Sequence, residues 1–241
     1  MKKAGKRIGI IILVILLIVA AYLVYVMVSY HRLPDKLTLE VNRTGNQGAF
    51  EEDRQVEVGK YYWIMTYNIG FGAYRNDYSF FMDGGRSSWA KDEESVTAGI
   101  CGMGDIVNTV NPDFVLLQEV DIDGTRSYHV NELELMNQFV TGYYYTFAEN
   151  YDSPFLLFPP WEPHGANQAG IVTYSRIEIT DTMRRSLPSP SAGSWIWTDA
   201  IPFQGSLWKT ERASVFIMYI FLHTGQMLPS GTDSLPCSTR I

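Results

Sequence analysis

The sequence predicts a mixed α/β body behind a single membrane-spanning helix, and three observations carry that prediction. An uncharged apolar run covers Ile8 to Val28, a strand–helix–strand succession lies between Tyr61 and Val120, and further strand-like runs alternate with a second helical period after it. The composition agrees. Of 241 residues, 46% are hydrophobic and 19% charged, which excludes a disordered chain, a collagen-like repeat and a coiled coil. Two cysteines, Cys101 and Cys237, are too few for a disulfide framework or a four-thiolate zinc site, leaving one bridge or two separate thiols. The net charge is -7, and Lys2, Lys3, Lys6 and Arg7 place four positive charges at the extreme N-terminus, so the rest of the chain carries -11. So acidic a body lacks the basic face that long duplex nucleic acid requires. It suits a divalent cation.

The apolar run Ile8–Val28 has about 21 residues, which at about 1.5 Å rise per residue matches a hydrocarbon core of roughly 30 Å. Four basic residues precede it, and only Arg32 and Lys36 follow closely. The positive-inside rule then predicts a single-pass protein of the cell membrane, N-terminus cytoplasmic and body extracellular. A cleavable signal peptide is the competing reading, but its apolar region is about 7–15 residues long and ends at small residues. Here the run is longer, and Ala20–Ala21 are followed by more apolar residues, so an uncleaved anchor through the lipid bilayer at residues 8–28 is expected. Tyr22, Tyr25 and Tyr30 fit an interfacial aromatic belt at its outer end. The chain divides into a basic start and anchor over 1–30, a linker with one strand over 31–60, and the body over 61–241.

Within the linker, Lys36–Val41 reads as a strand, followed by a polar stretch from Asn42 to Glu52. Tyr61–Tyr67 is rich in aromatic residues and reads as a buried strand that ends at Asn68-Ile-Gly70. Asp77–Trp89 reads as a loop. Val96, Ile100, Met103, Ile106, Val107 and Val110 recur at three- and four-residue steps, predicting an amphipathic helix over Ser95–Val110 that stops at Asn111-Pro112. Phe114–Val120 is a short apolar run with one acid near its end. Strand, helix, strand predicts a β-α-β unit with parallel strands. A second helix is predicted over Tyr128–Val140, strands over Tyr143–Phe147 and Ala169–Tyr174, and a Pro- and aromatic-rich loop over Phe155–Gly165. Ser186–Ser206 reads as loop, Ala213–Leu222 as an apolar strand or helix, and the chain after Gly225 as an aperiodic tail.

Two polar residues stand at strand ends. Asn68 closes one strand and Glu119 lies near the end of the next, so parallel neighbours would bring both to the carboxyl edge, where open α/β sheets bind ligands. A carboxylate beside an amide suits a hard, oxygen-preferring cation such as Mg²⁺. On their own, a strand-end glutamate is more often a solvated terminus and an Asn before Gly a turn residue.

The wording around these residues adds to that reading. Met65-Thr-Tyr-Asn-Ile-Gly70, followed some fifty residues later by Asp113-Phe-Val-Leu-Leu-Gln-Glu-Val-Asp121, closely resembles the endonuclease/exonuclease/phosphatase superfamily. Gly170–Ser175 is similar to a later strand of that family, and Glu211-Arg212 stands where an Asp-Arg pair is expected. The resemblance covers Tyr61 to about Arg212. It implies a two-sheet β-sandwich flanked by helices, with Glu119 as the carboxylate that holds Mg²⁺ (or Mn²⁺) and Asn68 assisting the metal or orienting the scissile phosphate. Arg126 is the nearest candidate phosphate contact, against the plainer reading of a surface arginine after Gly124. Asp121 is expected as a turn or supporting acid.

The family completes its site with Asp-x-Asn and Ser-Asp-His motifs. No Asp here is followed two places on by Asn, and none of His31, His129, His164 or His223 is preceded by Asp. About 180 residues follow Lys60, whereas the family domain needs on the order of 250. The expectation is therefore an N-terminal fragment of the fold after about Arg212, incomplete and weakly active or inactive. The function expected is membrane-tethered, metal-dependent phosphodiester hydrolysis, with a lipid headgroup or small phosphodiester as substrate. The alternatives are a pseudoenzyme or a non-catalytic membrane-anchored binding module, its surface lined by Trp161, Trp195, Trp197 and Trp208.

Overall fold

The apolar N-terminal run folds as one helix, α1 (Lys2–Ser29). Leu, Ile and Val side chains point outward all round it, and it is long and apolar enough to cross a membrane as an anchor or to serve as a signal sequence. The computed structural model describes residues 2–29, 33–45, 56–186, 202–209 and 214–218. Tyr30, His31, Arg32, Trp195, Trp197, Glu211, Arg212, His223, Cys237 and the tail after Gly225 lie outside the described residues, and Trp208 is described only as part of a strand backbone.

The body is built on the β-α-β unit. Strand β3 (Ile64–Asn68) and strand β4 (Phe114–Gly124) pair in parallel, connected through helix α2 (Glu93–Val110). The helix begins two residues before the expected Ser95. Asp92 caps it by accepting the Ser95 N–H at 2.7 Å, and the Ser95 hydroxyl accepts the Asp92 N–H in return. It stops where predicted: Asn111 turns left-handed and donates its N–H to the Val107 carbonyl, and Pro112 cannot continue the ladder.

Helix α3 (Glu132–Phe139), strand β5 (Tyr144–Leu156) and strand β6 (Gly165–Ser175) follow. With the short strand β2 (Asn42–Arg43) they complete a five-stranded sheet of order β2-β5-β6-β4-β3. Strand β1 (Leu37–Thr38), β7 (Asp181–Ser186), β8 (Pro202–Lys209) and β9 (Ser214–Met218) form a second sheet, order β1-β7-β8-β9. Alternation along β4 decides what covers each face of the larger sheet. Val115 and Leu117 join Val96, Ile100, Val107 and Met136 in a core under the helices, while Phe114 and Leu116 join Val56, Ile171, Ile177 and Ile179 on the opposite face. Arg184 ties the two sheets: fully buried on β7, it donates to the Glu149 carbonyl of β5 and to the Pro34 carbonyl. Two sheets with helices on one side is the mixed α/β class that the sequence predicts.

Several local expectations change. Of the strand expected over Lys36–Val41 only Leu37–Thr38 forms, pairing with β7, and a second short strand follows at Asn42–Arg43 in the stretch read as polar, pairing with β5 in the other sheet. Residues assigned to the linker thus contribute to both sheets. The strand expected to be buried over Tyr61–Tyr67 begins only at Ile64, is an edge strand, and leaves Ile64 56% and Tyr67 39% exposed, while Tyr61 and Trp63 lie exposed before it. Helix α3 starts at Glu132 rather than Tyr128, since Tyr128 and His129 both take positive φ and the Asn131 side chain accepts the Glu134 N–H as the cap. Strands β5 and β6 run far beyond the expected Tyr143–Phe147 and Ala169–Tyr174 as one long antiparallel pair that extends to Leu156 and Gly165.

Candidate functional site

The parallel pairing of β3 and β4 sets Asn68 beside Gln118. A regular strand would then turn Glu119 toward the helix-side core together with Leu117. The chain avoids this by a bulge. Leu117 pairs with Val172 and Val120 with Gly170, so three steps along β4 face two along β6. Leu117 and Val120 both enter the core, and the extra residue is taken up between them with Glu119 at φ +55°. Positive φ is uncommon outside glycine and marks a conformation held by its surroundings. Bulges re-aim side chains next to active sites, and this one aims Glu119 at β3.

Asn68 Nδ2 donates to Glu119 Oε1 at 2.9 Å, and Asn68 Oδ1 accepts the Gly70 N–H at 2.9 Å. The amide is therefore oriented from both ends, with its N–H toward the carboxylate. Glu119 is half-buried and Asn68 exposed, and Glu119 Oε2 makes no hydrogen bond among the described residues. The turn after Asn68 requires glycine: Gly70 has φ +54°, and a Cβ there would lie 2.3 Å from the Tyr74 ring. Burial holds the Tyr74 hydroxyl above the ordinary tyrosine range, and Asp83, to which it donates at 3.0 Å, adds to the effect. Burial likewise raises Tyr78, while Arg126 opposes the shift. The Tyr78 hydroxyl is buried with no hydrogen-bond partner among the described residues.

Arg126 sits on a single 3-10 turn, Thr125–Ser127, at the end of β4. It is buried rather than a surface residue. Its Nε and Nη2 donate to the two oxygens of Asp121 at 3.0 and 2.7 Å, and the Ser127 hydroxyl donates to the same carboxylate at 2.8 Å. The guanidinium lies 4.1 Å from the centre of the Phe71 ring and is held firmly in its charged form by Asp121 against its own burial. Nη1 makes no hydrogen bond among the described residues. Asp121, expected as a turn or supporting acid, is the fully buried counter-ion of Arg126, and its own N–H donates to Glu132 Oε2 at 2.8 Å. Burial, reinforced by Asp121, pushes the Glu132 carboxyl well above the usual range. Phe71 and Glu132 escaped the sequence reading. A phenylalanine between two glycines, and an acid in the first turn of a helix, carry no signal of partnership with an arginine.

The described histidines stand apart from this pair. His164 is buried, with Nδ1 2.8 Å from the Ser88 hydroxyl, and burial, with Arg126 nearby, lowers its pKa to about 3. It is neutral at physiological pH. His129 pairs with Asp123 at 2.5 Å on the surface. Neither is hydrogen-bonded to Glu119 or Asn68.

Among the described residues no group of three or more His, Cys, Asp or Glu side chains gathers at one point. The donor set at this edge is one carboxylate with a free oxygen, its other oxygen fixed by an amide. This fits a cation that takes one or two carboxylates and keeps its other positions for water and phosphate oxygens.

A sequence profile described as the Endonuclease/Exonuclease/phosphatase family matches residues 65–223. Comparison with curated proteins and with solved structures finds no significant match. The matched segment takes in well over half of the chain, including Asn68, Glu119, Asp121 and Arg126, and so the chain belongs to the endonuclease/exonuclease/phosphatase family, a group of phosphoesterase- and nuclease-type proteins.

Proposed function

We propose that this chain is a membrane-tethered phosphoesterase that hydrolyses a phosphodiester with the help of Mg²⁺ or Mn²⁺ held at Glu119. The observation that carries the reading is the Asn68–Glu119 contact of 2.9 Å at the carboxyl edge of two parallel strands, inside the matched residues. Glu119 would supply the carboxylate and Asn68 would hold it in place through Nδ2. When bound, the cation neutralises phosphoryl oxygens and charge on the leaving group. Arg126, locked by Asp121 and Phe71, would offer its unbonded Nη1 to a phosphate oxygen. The sequence contains no Asp-x-Asn and no Asp-His step, so the reading includes slow turnover. A retained anchor rather than a cleaved signal is supported by Val26, which is buried on the helix that contacts β5, since a segment destined for removal has no need of packing against the body.

The test is hydrolysis of bis(p-nitrophenyl) phosphate by the full chain in mild detergent. Glu119→Gln should lower Mg²⁺-dependent turnover by about 100-fold, as loss of a metal-holding group does. Divalent cation at about 100 times its Kd should also stabilise the wild-type fold by about 2.7 kcal/mol and leave Glu119→Gln unaffected. Equal turnover in both proteins would refute the metal role of Glu119. No hydrolysis and no stabilisation in the wild type would leave the non-catalytic binding module.

A further inference from the structure

The last turns of α1 dock on the end of β5. The Tyr22 hydroxyl donates to the Phe155 carbonyl at 3.3 Å and accepts the Leu157 N–H at 2.9 Å, and the Tyr25 hydroxyl accepts the Phe155 N–H at 3.2 Å. Tyr22, Val26 and Ser29 form the shielded stripe of an otherwise exposed helix end. If α1 spans a membrane, this contact fixes the depth of the body. Tyr22 precedes Val28, the last apolar residue, by six positions, so it lies about 9 Å inward from the end of the apolar run at about 1.5 Å per residue. Residues 155–157 are therefore drawn to the level at which apolar groups meet lipid headgroups, about 5–10 Å deep.

The segment at that level has the composition such a position demands. Ser153–Trp161 contains no charged residue, and Phe155, Leu157, Phe158 and Trp161 are each between 42% and 64% exposed. They do not collapse inward because the loop is braced. The Trp161 indole donates to the Arg86 carbonyl at 2.9 Å, the Trp89 indole to the Pro163 carbonyl at 2.7 Å, and Glu162 accepts the N–H groups of Ser88 and Trp89. Singly scattered apolar residues on a surface need no explanation, but a contiguous, rigidly presented group does.

The position of this segment in the sheet gives the patch its consequence. Leu156 of β5 pairs with Gly165 of β6, and Gly124 of β4 with Asn167 of β6. The braced loop and the end of β4 thus leave the sheet at the same end, the one toward which β3 and β4 run, with Glu119 five residues short of the end of β4.

We infer that the Phe155–Trp161 segment is a second membrane contact, whose apolar side chains enter the outer leaflet beside α1 and hold the end of the sheet beyond Glu119 against the bilayer surface. The inference rests on the reading of α1 as a retained anchor, and it makes a phosphoester carried by a lipid the substrate class nearest to the site.

The full chain reconstituted in phosphatidylcholine vesicles tests it. Six tryptophans emit, so the Trp161 component is taken as the difference between the wild type and Trp161→Phe. A dibrominated phosphatidylcholine should quench about half or more of that component, because it would lie at the acyl boundary, and aqueous acrylamide should reach it poorly. Quenching by acrylamide but not by brominated lipid would overturn the inference while α1 remained an anchor. Shielding of Trp161 from both quenchers would mean that a second chain covers the patch, and would overturn it equally. Release of the chain from the vesicles by an alkaline wash would overturn the anchor and the inference together.

Discussion

Replacing Asp121 by Asn is the most informative perturbation of the candidate site. The carboxylate is fully buried, accepts two bonds from the Arg126 guanidinium and one from Ser127, and lies next to the buried Glu132. Asparagine keeps the shape and removes the charge, leaving the guanidinium buried beside a neutral amide. Breaking a buried ion pair from one side costs about 3–5 kcal/mol, mainly through the stranded charge. That is a large part of the total stability of a domain, about 5–15 kcal/mol. In urea titration of the full chain in mild detergent, a loss of about 3 kcal/mol moves the midpoint down by about 1.5 M for a slope of about 2 kcal/mol per M. Arg126→Met alone should cost a similar amount by stranding Asp121, while the double variant should cost no more than either single one, giving a coupling energy of about 3 kcal/mol. A midpoint shift under about 0.5 M for Asp121→Asn, or simple additivity of the two substitutions, would refute the account of Arg126 as a charge held in place by Asp121.

Three further outcomes follow from the same geometry. Glu132 has its carboxyl pushed above the ordinary value of 4.5, so the native state keeps a proton that the unfolded chain releases; stability falls as pH rises from 4.5, and Glu132→Gln should flatten that fall in thermal melts and raise the melting temperature at pH 7. His164 is held down to about 3 from 6.5 by burial, so its contribution is fully present above pH 6.5 and is lost as pH falls toward 3; His164→Gln should show a shallower loss of melting temperature between pH 6.5 and 4, and an unchanged slope would refute a buried neutral imidazole. Glu119 occupies a left-handed backbone conformation that costs a non-glycine residue about 1–2 kcal/mol. Glu119→Gly should therefore be more stable than Glu119→Ala by about 1 kcal/mol in urea titration, although both lose the carboxylate, and equal midpoints would place the bulge elsewhere.

The meeting of Asn68 and Glu119 was legible because it follows from topology. A strand, an amphipathic helix and a second strand in close succession almost force a parallel pair, and in a parallel pair two strand ends share an edge. Helix α2 was legible for the same kind of reason, its stripe and its Asn111-Pro112 stop being local. Beyond the reach of periodicity lay the edge position of β3, where Ile64 and Tyr67 are exposed despite a sequence that reads as core. So did the two short strands Leu37–Thr38 and Asn42–Arg43, one in each sheet, which depend on partners more than a hundred residues away in Arg184 and Tyr145.

The direction of Glu119 shows why the remainder of the site was not legible. In Leu116-Leu-Gln-Glu-Val120 nothing marks an extra residue, and strict alternation puts Glu119 on the same face as Leu117, inside the helix-side core. Leu117 and Val120 both gain more from that core than a regular strand allows, and three residues are made to span two positions of β6. The strain falls on the residue least able to remain buried, a carboxylate, which turns out at φ +55° to meet Asn68. Arg126 follows the same logic in reverse. Its charge is buried because Asp121, five residues earlier and just past the bulge, has been carried into the interior to receive it. Val120 therefore stands between the partner of Asn68 and the partner of Arg126, and the directions of both carboxylates are set by the packing of that valine in the core and by the extra residue that precedes it.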